Sequence, residues 1–241
     1  MRLSGLIQLV FLLCLPFFAG AQNTTIFGTN KTYANQKIDV YTCTDYIAGI
    51  NTLVGSAVAD SEGNFSINMD LTATCRVTLD LGRIRGVMYV DTAMSYNIAL
   101  PDFEPKNKGD LLNPYFEPFE IVLGVKSPRQ SDINKYIDMF DYAYEDCVER
   151  NYLSLFKKTR QTEVDSIIDN MEKSFDTIPN EFFKTYRHYK YAWLKYVSYM
   201  RDWRYVSREY FDNCEVPYDN PAYMDLFNSM FTNFLEFYMN T

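Results

Sequence analysis

Paired cysteines, histidine and basic runs are scarce in this 241-residue chain, and each scarcity removes a class of function. The five cysteines include no Cys-x-x-Cys, and His188 is the single histidine. Zinc sites draw on Cys and His at short fixed spacings, so a zinc centre of that kind is excluded. A Ser-His-Asp triad would have to use His188, which stands among basic neighbours without a nucleophile motif. Carboxylates such as Glu145 and Asp146 adjoin, but adjacency does not set two carboxyls across a cleft. No catalytic residue, cofactor or metal ligand is assigned. Lys and Arg number 23 against 31 Asp and Glu, a net charge of −8. Binding a phosphate backbone needs the opposite balance, which argues against nucleic acid.

Long apolar runs are also lacking, with one exception at the start. Arg2, the apolar stretch Leu6 to Phe18 and the small residues Ala19-Gly20-Ala21 read as a secretory signal peptide over 1–21. The run is short for a membrane span. Cys14 lies inside it behind Leu13, where a lipidation signal has a small residue, so cleavage without lipidation is expected. Loss of Arg2 takes the basic count to 22 against 31 acidic residues, a balance of −9. No transmembrane segment is expected after cleavage. An exported, periplasmic or outer-envelope location follows, and it permits disulfides among Cys43, Cys75, Cys147 and Cys214. Four cysteines allow three pairings, and sequence does not choose among them. Cys43 and Cys75 fall on neighbouring strand segments and pair if in register. Cys147 lies on an apolar helix stripe, and Cys214 beside acidic residues.

What the chain does have is alternation, then helical periodicity. Residues 37–43, 53–59, 64–70, 74–81, 84–90 and 96–100 read as short strands broken by turn residues. Asp60, Glu62 and Asn64 offer alternating oxygens, but a calcium loop wants its glycine two residues beyond Gly63 and a glutamate where Leu71 stands. A hairpin turn with Gly63 at positive φ is expected there. Residues 102–130 hold four prolines (Pro105, Pro114, Pro118, Pro128) and read as a connector over the surface. From Ser131 onward, apolar residues recur at spacings of three and four. Phe182, Tyr186, Tyr189, Trp193, Tyr196, Met200 and Trp203 form one seam, flanked by a basic stripe through Lys184, Arg187, Lys195 and Arg201. The expected fold is α+β in two parts: an antiparallel β-sandwich over 22–101, the connector, and an α-helical domain over 131–241. The 20 Tyr and 18 Phe suit helix packing and half-wet surfaces. The seam is read as core, with Tyr186, Tyr189, Trp193 and Trp203 as a candidate interaction surface. The apolar face of residues 222–239 needs a partner, either the bundle itself or a second copy in a homo-oligomer.

Gly55 to Met69, Asp80 to Val90 and Ser95 to Pro101 together resemble the N-terminal half of exported Bacteroidota proteins of the thiol-disulfide interchange group. These begin with a transthyretin-like or carboxypeptidase-regulatory-like β-domain, continue into a helical region and close with a thioredoxin-like domain. The resemblance implies an envelope protein that keeps the non-catalytic modules. The family's redox chemistry sits on a Cys-x-x-Cys in the last domain; this sequence stops short of one, so no redox residue is carried over. Thr241 is either a natural end or a truncation. The expected function is an exported, non-enzymatic binding protein for a protein, peptide or glycan. The alternative is a part in a thiol-disulfide oxidoreductase system.

Overall fold

The computed structural model describes residues 22–127, 132–156, 161–198, 203–212 and 214–232; for residues 22, 154, 161, 162 and 203 it describes the backbone alone. The expected leader over 1–21, the candidate cap Ser131, Met200, Arg201, the Trp203 side chain and the tail beyond residue 232 lie outside these.

Nine strands come first: β1 (Gln22–Thr29), β2 (Lys37–Asp45), β3 (Ile50–Val58), β4 (Asn64–Leu71), β5 (Cys75–Leu81), β6 (Ile84–Val90), β7 (Ser95–Ala99), β8 (Phe119–Val122) and β9 (Gly124–Ser127). They form a four-stranded sheet, β4-β1-β7-β9, and a five-stranded sheet, β3-β2-β5-β6-β8. Phe65, Ile67 and Met69 of one sheet and Val40, Val77 and Leu79 of the other share one buried core, which makes the pair a sandwich. Alternation produces this directly: on β4 every second residue is buried.

Three expectations need correction. The sandwich is not wholly antiparallel, because β1 pairs with β7, and β6 with β8, in parallel. The segment from Gly55 to Met69 is not a hairpin. Strand β3 pairs with β2 and β4 with β1, so the Asp60 turn carries the chain from one sheet to the other. Gly63 does adopt φ +80°, and a Cβ there would stand 2.1 Å from the Asn30 carbonyl oxygen. The Asp60 oxygens accept the Glu62 and Asn64 N–H groups and the Asn64 amide at 2.8–2.9 Å, so local donors occupy what resembled a cation loop. Finally, the connector does not only run over the surface. It holds a short helix, α1 (Lys108–Leu112), and then contributes β8 to one sheet and β9 to the other.

The helices α2 (Ile133–Arg150), α3 (Tyr152–Phe156), α4 (Gln161–Glu172), α5 (Glu181–Ser198), α6 (Trp203–Tyr210) and α7 (Pro221–Phe231) bury a second core. Asp132 caps α2 by accepting the Asn134 N–H at 3.1 Å. Helix α5 touches all five of the others. It therefore buries two stripes: the seam through Tyr186 and Tyr189, and another through Phe183, Arg187, Tyr191, Leu194 and Ser198. Of the basic stripe, Arg187 lies inside. The apolar face of α7, from Ala222 to Met230, packs on its own bundle, chiefly against α5.

Candidate functional site

Helices α2, α5 and α7 leave a cleft of about 260 Å³ between them, lined by Tyr144, Glu145, Tyr189, Lys190, Trp193, Ala222 and Asp225. Its floor is aromatic and fixed. Tyr144 is buried, and its hydroxyl donates to the Lys190 carbonyl at 3.2 Å. Tyr189 is buried, packs edge-on against Tyr223 with ring centroids 4.8 Å apart, and donates to the Tyr210 carbonyl at 3.3 Å. Burial pushes the Tyr189 phenol up to about 12 and the Tyr144 phenol higher still, so both remain neutral donors. Trp193 is half-buried and presents part of its ring to the opening.

Charge at the rim is lopsided. Lys190 lies over the Tyr144 ring, 4.9 Å from its centroid, and pairs with Asp141 at 3.4 Å. Its charge is already balanced. Glu145 and Asp225 are exposed, and neither has a hydrogen bond or ion pair among the described residues. The concavity desolvates Asp225 and pushes its carboxyl up, although Arg76 and Lys190 pull the other way. The cleft combines an aromatic wall with two carboxylates that no ion pair engages among the described residues. That combination suits a cation carried on an apolar stem.

Of the four aromatics proposed as an interaction surface, Tyr189 and Trp193 line this cleft. Tyr186 does not: it is buried, and its hydroxyl donates to both Asp141 oxygens at 3.0 and 2.8 Å. The side chain of Trp203 lies outside the described residues. Sequence reading missed Lys190 and Asp225. A carboxylate inside the apolar run of α7 was the available signal for Asp225.

The four cysteines among the described residues are free thiols. Strands β2 and β5 are neighbours, as the pairing of Cys43 with Cys75 requires, but Thr42 opposes Val77. Cys43 thus faces Arg76, and Cys75 points to the other side of the sheet. That register forbids the bridge. Burial raises the thiols of Cys43, Cys75 (to about 11) and Cys147, whereas Cys214 is exposed. His188 packs 4.8 Å from the Tyr210 ring, and desolvation lowers its pKa. No cluster of three metal-ligating side chains occurs among the described residues. Nor is any described helix long and apolar enough to cross a membrane.

No family model matches this chain, and no curated protein does. Among solved structures it aligns with a 9R-lipoxygenase from Cyanothece PCC8801 at 10% identity and a TM-score of 0.23. That alignment covers 69% of this chain and 30% of the lipoxygenase, so the chain spans under a third of that protein's length. A likeness this slight carries neither fold nor activity across.

Proposed function

We propose that this is an exported, non-enzymatic binding protein of the bacterial cell envelope, whose helical cleft holds a basic side chain of a partner peptide or protein. The observation that carries the reading is the half-exposed Trp193 flanked by the unpaired carboxylates of Glu145 and Asp225. Such a wall attracts an ammonium or guanidinium by ring quadrupole and by Coulomb force together. The leader-like N-terminus and the resemblance to exported envelope proteins support the location. A role in thiol exchange finds less support, since three of the four thiols in 22–241 are pushed up by burial and a thiolate is the reactive form.

Tryptophan fluorescence tests the proposal. Trp203→Phe leaves Trp193 as the single reporter. Titration with trilysine should shift its emission saturably, more weakly as salt rises. The double variant Glu145→Gln, Asp225→Asn should bind about tenfold less tightly, the loss expected for one or two charge-assisted contacts. A flat titration, or a double variant that binds unchanged, would overturn the reading.

A further inference from the structure

A second cavity lies on the other part of the molecule, over the outer face of the five-stranded sheet. Tyr41, Asn51, Thr78, Asp80 and Arg85 rise from β2, β3, β5 and β6, and the segment bearing Lys106, Phe116 and Pro118 roofs them over about 300 Å³. The roof is tied down by Arg83. Its N–H donates to the Glu104 carbonyl at 2.8 Å, its carbonyl accepts the Phe119 N–H at 2.9 Å, and its side chain pairs with Asp110 at 3.0 Å. Asn107 and Asp110 close a capping box that shapes the turn between.

The cavity's polar groups are largely unengaged. Asp80 stands directly across from Arg85 in the ladder, yet its carboxylate accepts from Lys106 at 3.4 Å and from the Gly82 N–H at 3.1 Å. The Arg85 side chain is left with neither hydrogen bond nor ion pair among the described residues. The Tyr41 hydroxyl, the Asn51 amide and the Thr78 hydroxyl also make no hydrogen bond among them. Two cations face one carboxylate, so the cavity is net positive on a protein of net charge −8. A planar guanidinium with free N–H groups matches a carboxylate or phosphate in bidentate fashion. The amide and hydroxyls suit ring hydroxyls, and the Tyr41 and Phe116 rings offer apolar faces. The volume sits at the small end of ligand pockets.

We propose that this cavity binds an anionic monosaccharide, with Arg85 gripping its carboxylate or phosphate and Asn51 and Thr78 its hydroxyls. Calorimetric titration of the full chain with glucuronate, glucose 6-phosphate, glucose and inorganic phosphate tests it. At least one anionic sugar should bind saturably, and which one binds separates a carboxylate from a phosphate ligand. Neutral glucose should bind about tenfold more weakly, and so should the anionic sugar to Arg85→Met, the loss of one charge-assisted contact. Arg85→Lys, which keeps charge without the fork, should recover part of the affinity. Thr78→Val should weaken the sugar and leave inorganic phosphate unchanged, a readout available even where Arg85→Met folds poorly. Glu145→Gln should change nothing here, which keeps this site separate from the helical cleft. Absence of binding by both anionic sugars, undiminished binding by a folded Arg85→Met, or phosphate alone binding as tightly as its sugar ester would each overturn the proposal.

Discussion

Arg187 stands on the basic stripe of α5, yet only 3% of it is exposed. Its Nε and Nη2 grip Glu172 at 3.1 and 2.7 Å, and its Nη1 donates to the Phe175 carbonyl at 2.7 Å. Arg187→Ala strips that carbonyl of its donor and opens a void beside Phe183, an expected loss of about 3 kcal/mol. Glu172 keeps contact with solvent, so Glu172→Gln should cost only about 1 kcal/mol. Urea denaturation of the two variants checks the asymmetry; equal losses would mean that the ion pair itself dominates. Asp91 gives a pH prediction. Burial raises its carboxyl above the usual aspartate range, while the Thr74 hydroxyl, 2.6 Å away, opposes the shift. The folded chain thus holds this proton more tightly than the unfolded one. The stabilisation it gives is complete below the unfolded value near 3.8 and is lost as pH rises through the folded one. Asp91→Asn should therefore match the wild type near pH 3 and exceed it increasingly toward about pH 6, read from urea midpoints. At this scale the site was partly legible. Trp193 and Tyr189 stood out by spacing, whereas the pairing that neutralises Lys190 and leaves Asp225 unpaired depends on helices far apart in the chain.

Strands β4 and β5 were readable because every second residue is apolar and buried. Three other strands were not, each for a physical reason. Strand β1 buries Thr24 beside Ile26, and the Thr24 hydroxyl finds the Asp91 carbonyl at 2.9 Å, so a polar residue occupies a core position. Strands β8 and β9 have four residues each, too few to show a period, and they follow prolines that signal a loop. What holds them is Leu123, which is 2% exposed, sits between them and donates its N–H to the Val87 carbonyl at 2.9 Å. Its side chain fills the space over Gly86, where a Cβ would lie 2.6 Å from it. Leu123→Ala should cost about 3 kcal/mol, the loss typical of a buried leucine. A thermal unfolding midpoint unchanged by that substitution would mean that residues 119–127 are not integral to the sandwich.

The sandwich and the helical bundle have separate cores, so what couples them is a matter of few residues. Tyr89 of β6 reaches into the bundle, with ring centroids 5.8 Å from Phe182 and 6.1 Å from Tyr186. Directly behind it, the Asn134 side chain accepts the Tyr89 N–H at 2.7 Å and donates to the Tyr89 carbonyl at 2.8 Å. An amide that pairs with both backbone groups of one residue acts as one more strand rung, contributed by a helix. Asn134 is 3% exposed, so water does not replace it readily. A further polar link, from the Asn228 amide to the Tyr46 carbonyl at 3.1 Å, involves less buried groups. Asn134→Ala orphans a donor and an acceptor at the junction, an expected cost of about 3 kcal/mol that falls on coupling more than on either core. Calorimetry should show one transition for the wild type and two for Asn134→Ala, while Asn228→Ala keeps one. A single, slightly shifted transition in Asn134→Ala would place the coupling in the aromatic contacts of Tyr89 instead, and Tyr89→Ala would then be the variant that splits the two parts.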